Sequence, residues 1–151
     1  MRLHPLVFLG LVSTLFAANP FAGTWQLNVG KSKFAGPPDR EETVVMVEKD
    51  DQIVVTRKGI AGDGKPISAK YSYPEKGGPV IFVEGAPPSN ISETRNRINE
   101  RTMEAITKSD GNVVATTHYV VSEDGQTITI HRQGKNSQGQ AFEFVGVYER
   151  K

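Results

Sequence analysis

Between about residue 24 and residue 150 the chain alternates short strand-like segments with turn sequences, and this pattern constrains its fold most. Ten segments rich in Val, Ile, Thr and Tyr are predicted as strands: 24–29, 43–48, 52–58, 67–73, 79–84, 92–99, 102–108, 112–121, 126–133 and 141–150. The intervening sequences carry Gly and Asp at turn positions. No window has a sustained apolar period of 3.6 residues, so no long helix is predicted. The sequence therefore predicts an all-β fold built from antiparallel neighbours.

The N-terminal segment has the pattern of a secretory signal peptide. Arg2 supplies a positive charge, residues 6–16 form a mostly apolar run, and Ala17-Ala18 offers small residues for cleavage. The run is too short to span a bilayer. We therefore expect residues 1–18 to be a cleaved signal peptide and the mature protein to be exported, either periplasmic or secreted. The alternative is an uncleaved N-terminal anchor.

Residues 19–151 are then expected to form one domain with a core of sufficient size. The full chain has 18 basic and 17 acidic residues, and no basic run predicts nucleic-acid binding. It contains no Cys, which excludes disulfides and a lipid-modified Cys. No second apolar stretch predicts a membrane span, and the sequence does not specify an oligomeric state.

The chain also contains an internal similarity at a spacing of 75 residues, since residues 43–73 align without gaps on residues 118–148. Seven identities mark the alignment: Val45, Glu48, Ile53, Arg57, Gly59, Gly64 and Tyr73 match Val120, Glu123, Ile128, Arg132, Gly134, Gly139 and Tyr148. Duplication and convergence on hairpin composition both explain it. Either origin predicts one supersecondary shape for both copies. A closed meander reuses such a unit most simply, because closure removes exposed sheet edges.

Several stretches carry a resemblance to a known group of proteins. They are Phe21-Ala-Gly-Thr-Trp-Gln-Leu-Asn28, Lys31-Ser-Lys-Phe34, Asp63-Gly-Lys-Pro66, Val121-Ser-Glu-Asp-Gly-Gln-Thr127 and Val147-Tyr-Glu-Arg150. The chain resembles the calycins, which comprise lipocalins and fatty-acid-binding proteins. It is most similar to small exported bacterial lipocalin-like proteins of unassigned function. The resemblance implies a single antiparallel up-and-down β-barrel of about eight to ten strands.

The same resemblance implies how one end of the barrel is closed. Gly23 lets the chain enter tightly, and Trp25 plugs the end. Arg150 or Arg132 is expected to cover the indole ring.

Two features differ from the fatty-acid-binding proteins. The interval 30–42 is short and carries Pro37-Pro38, so it leaves no room for their two-helix lid. Gly146 stands two residues before Tyr148, where those proteins have the Arg of an Arg-x-Tyr carboxylate clamp. The ligand implied by the resemblance therefore need not be a carboxylate, and a neutral apolar molecule is expected.

Several common catalytic motifs are absent from the sequence. It has no Cys nucleophile, no Gly-x-Ser-x-Gly and no His-Glu-x-x-His. His118 and His131 share a face if the turn at Gly125 has two loop residues. They lie on opposite faces if it has three, and the local sequence favours three. Two His without a carboxylate make a weak metal site. We therefore predict no catalytic residue, no metal and no cofactor, and we interpret Glu93 and Glu104 as solvated.

Three function classes remain: a non-catalytic barrel binding a small apolar or amphipathic molecule, a structural or interaction barrel with a filled core, and a barrel enzyme acting as an isomerase or lyase. We favour the first. The expected lining residues are inward-facing members of the middle and late strands: Ile53, Val55, Tyr71, Tyr73, Phe82, Ile128, Ile130, Phe142 and Phe144. Arg57 and Arg132 are expected outside at strand ends, with an inward, anion-binding position as the alternative.

Overall fold

The computed structural model describes residues 18–151, which form eleven strands and one short 3-10 turn at Val29–Lys31. The strands are β1 (Gly23–Leu27), β2 (Glu41–Lys49), β3 (Gln52–Ile60), β4 (Pro66–Pro74), β5 (Gly77–Pro79), β6 (Ile81–Glu84), β7 (Ile91–Asn99), β8 (Thr102–Ser109), β9 (Asn112–Val121), β10 (Thr127–Lys135) and β11 (Ala141–Arg150). The expected signal peptide lies outside the described residues except for its last position, Ala18. Residues 18–151 contain no helix long and apolar enough to cross a membrane.

All strand pairs are antiparallel, and the sheet runs in the order β5-β7-β8-β9-β10-β11-β1-β2-β3-β4-β6. The two outermost strands, β5 and β6, are consecutive pieces of one segment joined at Val80. β5 pairs with β7 through Gly78 and Arg95, whereas β6 pairs with β4 through Phe82 and Tyr71. This segment therefore brings the two ends of the sheet together, and the chain forms a nearly closed up-and-down barrel. The predicted fold is confirmed, with one of the ten predicted strands divided in two.

The two copies of the internal similarity form equivalent second hairpins. Ile53 pairs with Tyr73 across β3 and β4, and Ile128 pairs with Tyr148 across β10 and β11. The spacing of 75 residues therefore preserves the strand register. The turns also match, since Gly64 and Gly139 both have positive φ, of 85° and 73°. Their backbone N–H groups donate to the carbonyl three residues earlier at 2.9 Å in both copies.

The first hairpins of the two copies differ. β2 and β3 are joined by two residues, Asp50 and Asp51, which both have positive φ as a type I′ turn requires. β9 and β10 are joined by four residues, 123–126, because the Ser122 N–H donates to the Thr127 carbonyl. The equivalence of the copies therefore lies in the second hairpin.

One end of the barrel is closed by Trp25, which is fully buried beside Phe21. The Trp25 indole N–H donates to the Phe21 carbonyl at 2.9 Å. The Arg150 guanidinium lies 4.2 Å from the indole ring centre, a cation–π distance. Its nitrogens donate to the carbonyls of Gly125, Ala22 and Pro20 at 2.7, 2.7 and 3.0 Å. Arg150, and not Arg132, therefore covers the tryptophan.

Above this plug the interior is packed with apolar side chains that alternate with outward residues along each strand. They share near-complete burial and belong to one cluster that includes Ile53, Val55, Tyr73, Met103, Val121 and Ile128. These side chains fill the closed end of the barrel.

Trp25→Ala is expected to lower the free energy of unfolding by about 3–5 kcal/mol, because it deletes a fully buried aromatic and the partner of Arg150. Urea unfolding measures the change. Val83→Ala, at a side chain 75% exposed on β6, is the control and should change little. Equal stability of both variants would contradict the plug.

Gly23→Ala is expected to lower the free energy of unfolding by about 1–3 kcal/mol, the scale of strain for a side chain in a disfavoured backbone region. Gly23 has φ of 137°, and a Cβ built on it would overlap Arg150 Nη1. Gly36→Ala is the matched control, since no atom lies within 4 Å of a Cβ there. Thermal and urea unfolding of the two variants should differ clearly, and identical curves would refute the close approach.

Candidate functional site

Towards the other end of the barrel, the interior opens into a cavity of about 320 Å³. Aromatic and aliphatic side chains form much of its wall. Six charged side chains and Thr117 share that wall: Asp39, Glu42, Arg57, Glu93, Arg95 and Arg132 are the charged ones. The cavity therefore combines apolar walls with charged groups, whereas the lining residues expected from the sequence were aliphatic and aromatic.

Glu42, on β2, holds the first of three guanidinium groups. Its side chain is 1% exposed, and both of its carboxylate oxygens are engaged. Arg57 Nε donates to Oε1 at 2.6 Å, and the Tyr148 hydroxyl donates to Oε2 at 2.6 Å. Burial is the largest single effect and lowers the pKa of Arg57, but the Glu42 carboxylate and the nearby Tyr71 and Tyr148 together outweigh it, so the pKa of Arg57 lies above its usual range. The Arg57 side chain remains 38% exposed, and its terminal nitrogens form no hydrogen bond within residues 18–151.

The second guanidinium belongs to Arg95 on β7, which is buried among tyrosines. Its Nη2 lies 2.7 Å from Glu93 Oε1. Its guanidinium carbon lies 4.4 Å from the centre of the Tyr119 ring and 5.2 Å from that of Tyr73. These contacts offset the cost of removing the cation from water. Arg95 Nε is buried and has no hydrogen-bond partner in the described chain.

The third guanidinium belongs to Arg132 on β10 and has no acidic partner. Arg132 Nη1 donates to Thr117 Oγ1 at 3.3 Å. No carboxylate of residues 18–151 lies within the 4 Å of an ion pair. Arg132 is thus the cavity arginine that the protein leaves without a counter-charge.

The expectation that Arg57 and Arg132 lie outside the barrel is wrong, because both line the cavity. In β10 the even-numbered residues face inward, and Arg132 follows Ile128 and Ile130 in that alternation. A strand that enters a chamber with space for ligand or water can place a charged side chain inward.

The preferred arrangement of the two histidines is also wrong. His118 and His131 are direct cross-strand partners on the outer face, because the four-residue turn between them preserves the side-chain alternation. His118 Nε2 lies 3.2 Å from Glu104, and His131 Nε2 lies 2.7 Å from Glu143. No three His, Asp or Glu side chains within residues 18–151 are placed to hold a metal ion.

The structure distributes the predicted lining residues between three places. Four of them line the cavity: Tyr71, Phe82, Ile130 and Phe144. Four belong to the packed cluster at the closed end: Ile53, Val55, Tyr73 and Ile128. Phe142 is half-buried beside Gly134, in a shallow groove outside the cavity. The predicted closing residues Gly23, Trp25 and Arg150 lie together.

Sequence reasoning missed Glu42, Arg95 and Thr117. Glu42 precedes the start of its predicted strand, although the alternation of Val44 and Met46 extends back to it. Glu93 is not solvated as expected, because its side chain is 15% exposed and pairs with the buried Arg95. The detectable signal was the alternation of charged residues at inward positions of β7.

Tyr119 is expected to make stability fall at alkaline pH. Burial raises its pKa to about 12. The folded state therefore keeps a proton that the unfolded tyrosine loses near pH 10. The contribution of Tyr119 is complete below about pH 10 and falls by about 1.4 kcal/mol per pH unit up to about pH 12. Urea unfolding across this window measures the slope, and Tyr119→Phe should reduce it by about one proton. An unchanged slope in Tyr119→Phe would show that the hydroxyl titrates normally.

Comparisons with known proteins found similarity to solved structures only. No protein-family model and no curated protein matches the chain. The crystal structure of Rv2717c from M. tuberculosis is similar, with a TM-score of 0.55 and 16% identity over 87% of this chain and 93% of that chain. Zebrafish ileal bile acid-binding protein complexed with cholic acid gives a TM-score of 0.41 and 11% identity, over 87% and 99%. The chain thus shares its overall fold with Rv2717c.

Proposed function

We propose that the protein is an exported, non-catalytic binding protein that holds a small amphipathic molecule inside its barrel. The observation that carries the proposal is the cavity of about 320 Å³ in the barrel interior. Small-molecule sites begin at about this size and combine apolar walls with a few placed polar groups. Export rests on the signal-like pattern of residues 1–18, and the lipocalin-like assignment on the sequence resemblance.

The wall supports a ligand with an apolar body. Two aromatic pairs lie against the cavity: Phe34 with Phe144, at 5.3 Å between ring centres, and Tyr71 with Phe82, at 5.1 Å. Burial of an apolar surface against these rings stabilises a complex by about 25 cal/mol per Å².

The interior also supports binding over a structural barrel. A structural barrel would fill its interior throughout, whereas here a cavity of about 320 Å³ remains beside the packed cluster. Two of the three carboxylates that line the cavity have partners within the chain, since both oxygens of Glu42 accept hydrogen bonds and Glu93 pairs with Arg95.

The wild-type protein is expected to bind the neutral dye Nile red saturably below millimolar concentration, with increased fluorescence as the dye enters an apolar site. Ile130→Trp replaces an aliphatic side chain at the cavity wall by a bulky indole that takes up cavity space, so it should weaken binding about tenfold or more. Val83→Trp, on the outer face of β6, is the matched control and should bind as the wild type does.

Native mass spectrometry of protein purified from its own host compartment tests the same proposal without a probe. A retained small molecule, lost in Ile130→Trp, is the expected result. Absence of saturable dye binding together with absence of any retained molecule would favour the structural barrel.

A further inference from the structure

We propose that Arg132 and Thr117 form a site for the carboxylate of a monoanionic ligand. The inference rests on the proposed function and names the ligand class of the same cavity. It differs from the neutral ligand expected from the sequence.

The internal similarity shows why Arg132 lacks a counter-charge. The spacing of 75 residues relates Arg57 to Arg132. The two arginines hold the same register position in their hairpins, because Arg57 pairs with Ala69 and Arg132 with Phe144. Extended one residue beyond the aligned segment, the same spacing relates Glu42 to Thr117.

The two copies therefore give their equivalent arginines different hydrogen-bond partners. In the first copy Arg57 donates to a carboxylate oxygen of Glu42. In the second copy Arg132 donates to the hydroxyl of Thr117, which carries no charge. A ligand carboxylate bound to Arg132 would provide the negative charge that the Glu42 carboxylate provides for Arg57.

The charge distribution of the cavity agrees with this reading. Three guanidinium groups line it, and the carboxylates of Glu42 and Glu93 are each committed to one of the other two. Asp39 also lines the cavity, on the loop before β2, but no ion pair joins it to Arg132. Arg132 is therefore the one of these three guanidinium groups that pairs with no carboxylate of residues 18–151 at ion-pair distance, and its hydrogen bonds to an anion would be charge-assisted.

The available donors favour a carboxylate bound by more than one hydrogen bond. Arg132 uses one terminal nitrogen on Thr117, and the terminal nitrogens of Arg57 bond to no group within residues 18–151. Phe144 is the cross-strand neighbour of Arg132, and its ring lies beside that of Phe34. An acid with an apolar body would therefore place its charged end at Arg132 and its body against these rings. One unpaired guanidinium matches one negative charge.

The test compares two probes of similar shape and different charge, naphthoate and naphthylmethanol, by isothermal titration calorimetry at neutral pH. The wild type is expected to bind naphthoate about tenfold more tightly than the alcohol, the scale of one charge-assisted hydrogen bond. Arg132→Gln removes the cation, and Thr117→Glu gives Arg132 an internal carboxylate. Each variant should bring the two affinities to a ratio of about one while keeping the affinity for the alcohol.

Arg101→Gln is the matched control, since it makes the same charge change at a side chain that is 43% exposed and outside the cavity. It should keep the preference for naphthoate. If Arg132→Gln does not fold, Thr117→Glu carries the test alone. Equal affinities in the wild type, or a preference that survives in the folded cavity variants, would overturn the carboxylate site while leaving binding intact. If neither probe binds the wild type, the proposed function fails together with this inference.

Discussion

Arg150 holds the barrel together at its closed end. This side chain, at the end of the last strand, bonds to carbonyls of the segment that enters the first strand and of the β9–β10 turn. It also covers the ring of Trp25. Because the final and first strands are sheet neighbours, these contacts join the two ends of the domain and place a rigid floor below the interior. The cavity lies towards the other end of the barrel, which Trp25 does not fill.

The arginine side chains of the cavity need partners that replace their lost hydration, and the protein provides such partners unequally. Removing an arginine from water is costly unless a partner of good geometry replaces the lost hydration. Glu42 and Glu93 meet this need for two arginines, and a ring of tyrosines assists at Arg95. Arg132 receives only a hydroxyl. The two pairs lie across the first hairpins, whose registers differ, since Thr117 is directly opposite Arg132 whereas Val44, and not Glu42, is opposite Arg57. The asymmetry therefore combines a change of side chain with a change of register.

Much of the fold could be predicted from the sequence because strand composition and turn chemistry are local properties. The ten predicted segments and the shared shape of the second hairpins follow from them. The orientation of the histidines did not follow, since it depends on whether a turn has three or four residues. One residue in the turn reverses the face of every side chain beyond it.

The candidate site was predictable only in part. Four of the nine expected lining residues line the cavity, because alternation identifies inward positions but not their height along the barrel. The contacts of Glu42 were missed because the composition of a strand does not reveal a partner on another strand. Glu42 and Tyr148 meet across 106 residues of sequence.

The segment that closes the sheet has a mechanical consequence. β5 and β6 each contribute only three residue pairs to their neighbours, whereas β3 and β4 share nine. A seam with so few residue pairs has a low local opening energy, so it can separate without unfolding the rest of the sheet. Phe82 lies on that seam and also faces the cavity. Local opening at this seam would therefore expose the cavity through the wall of the barrel, beside Phe82.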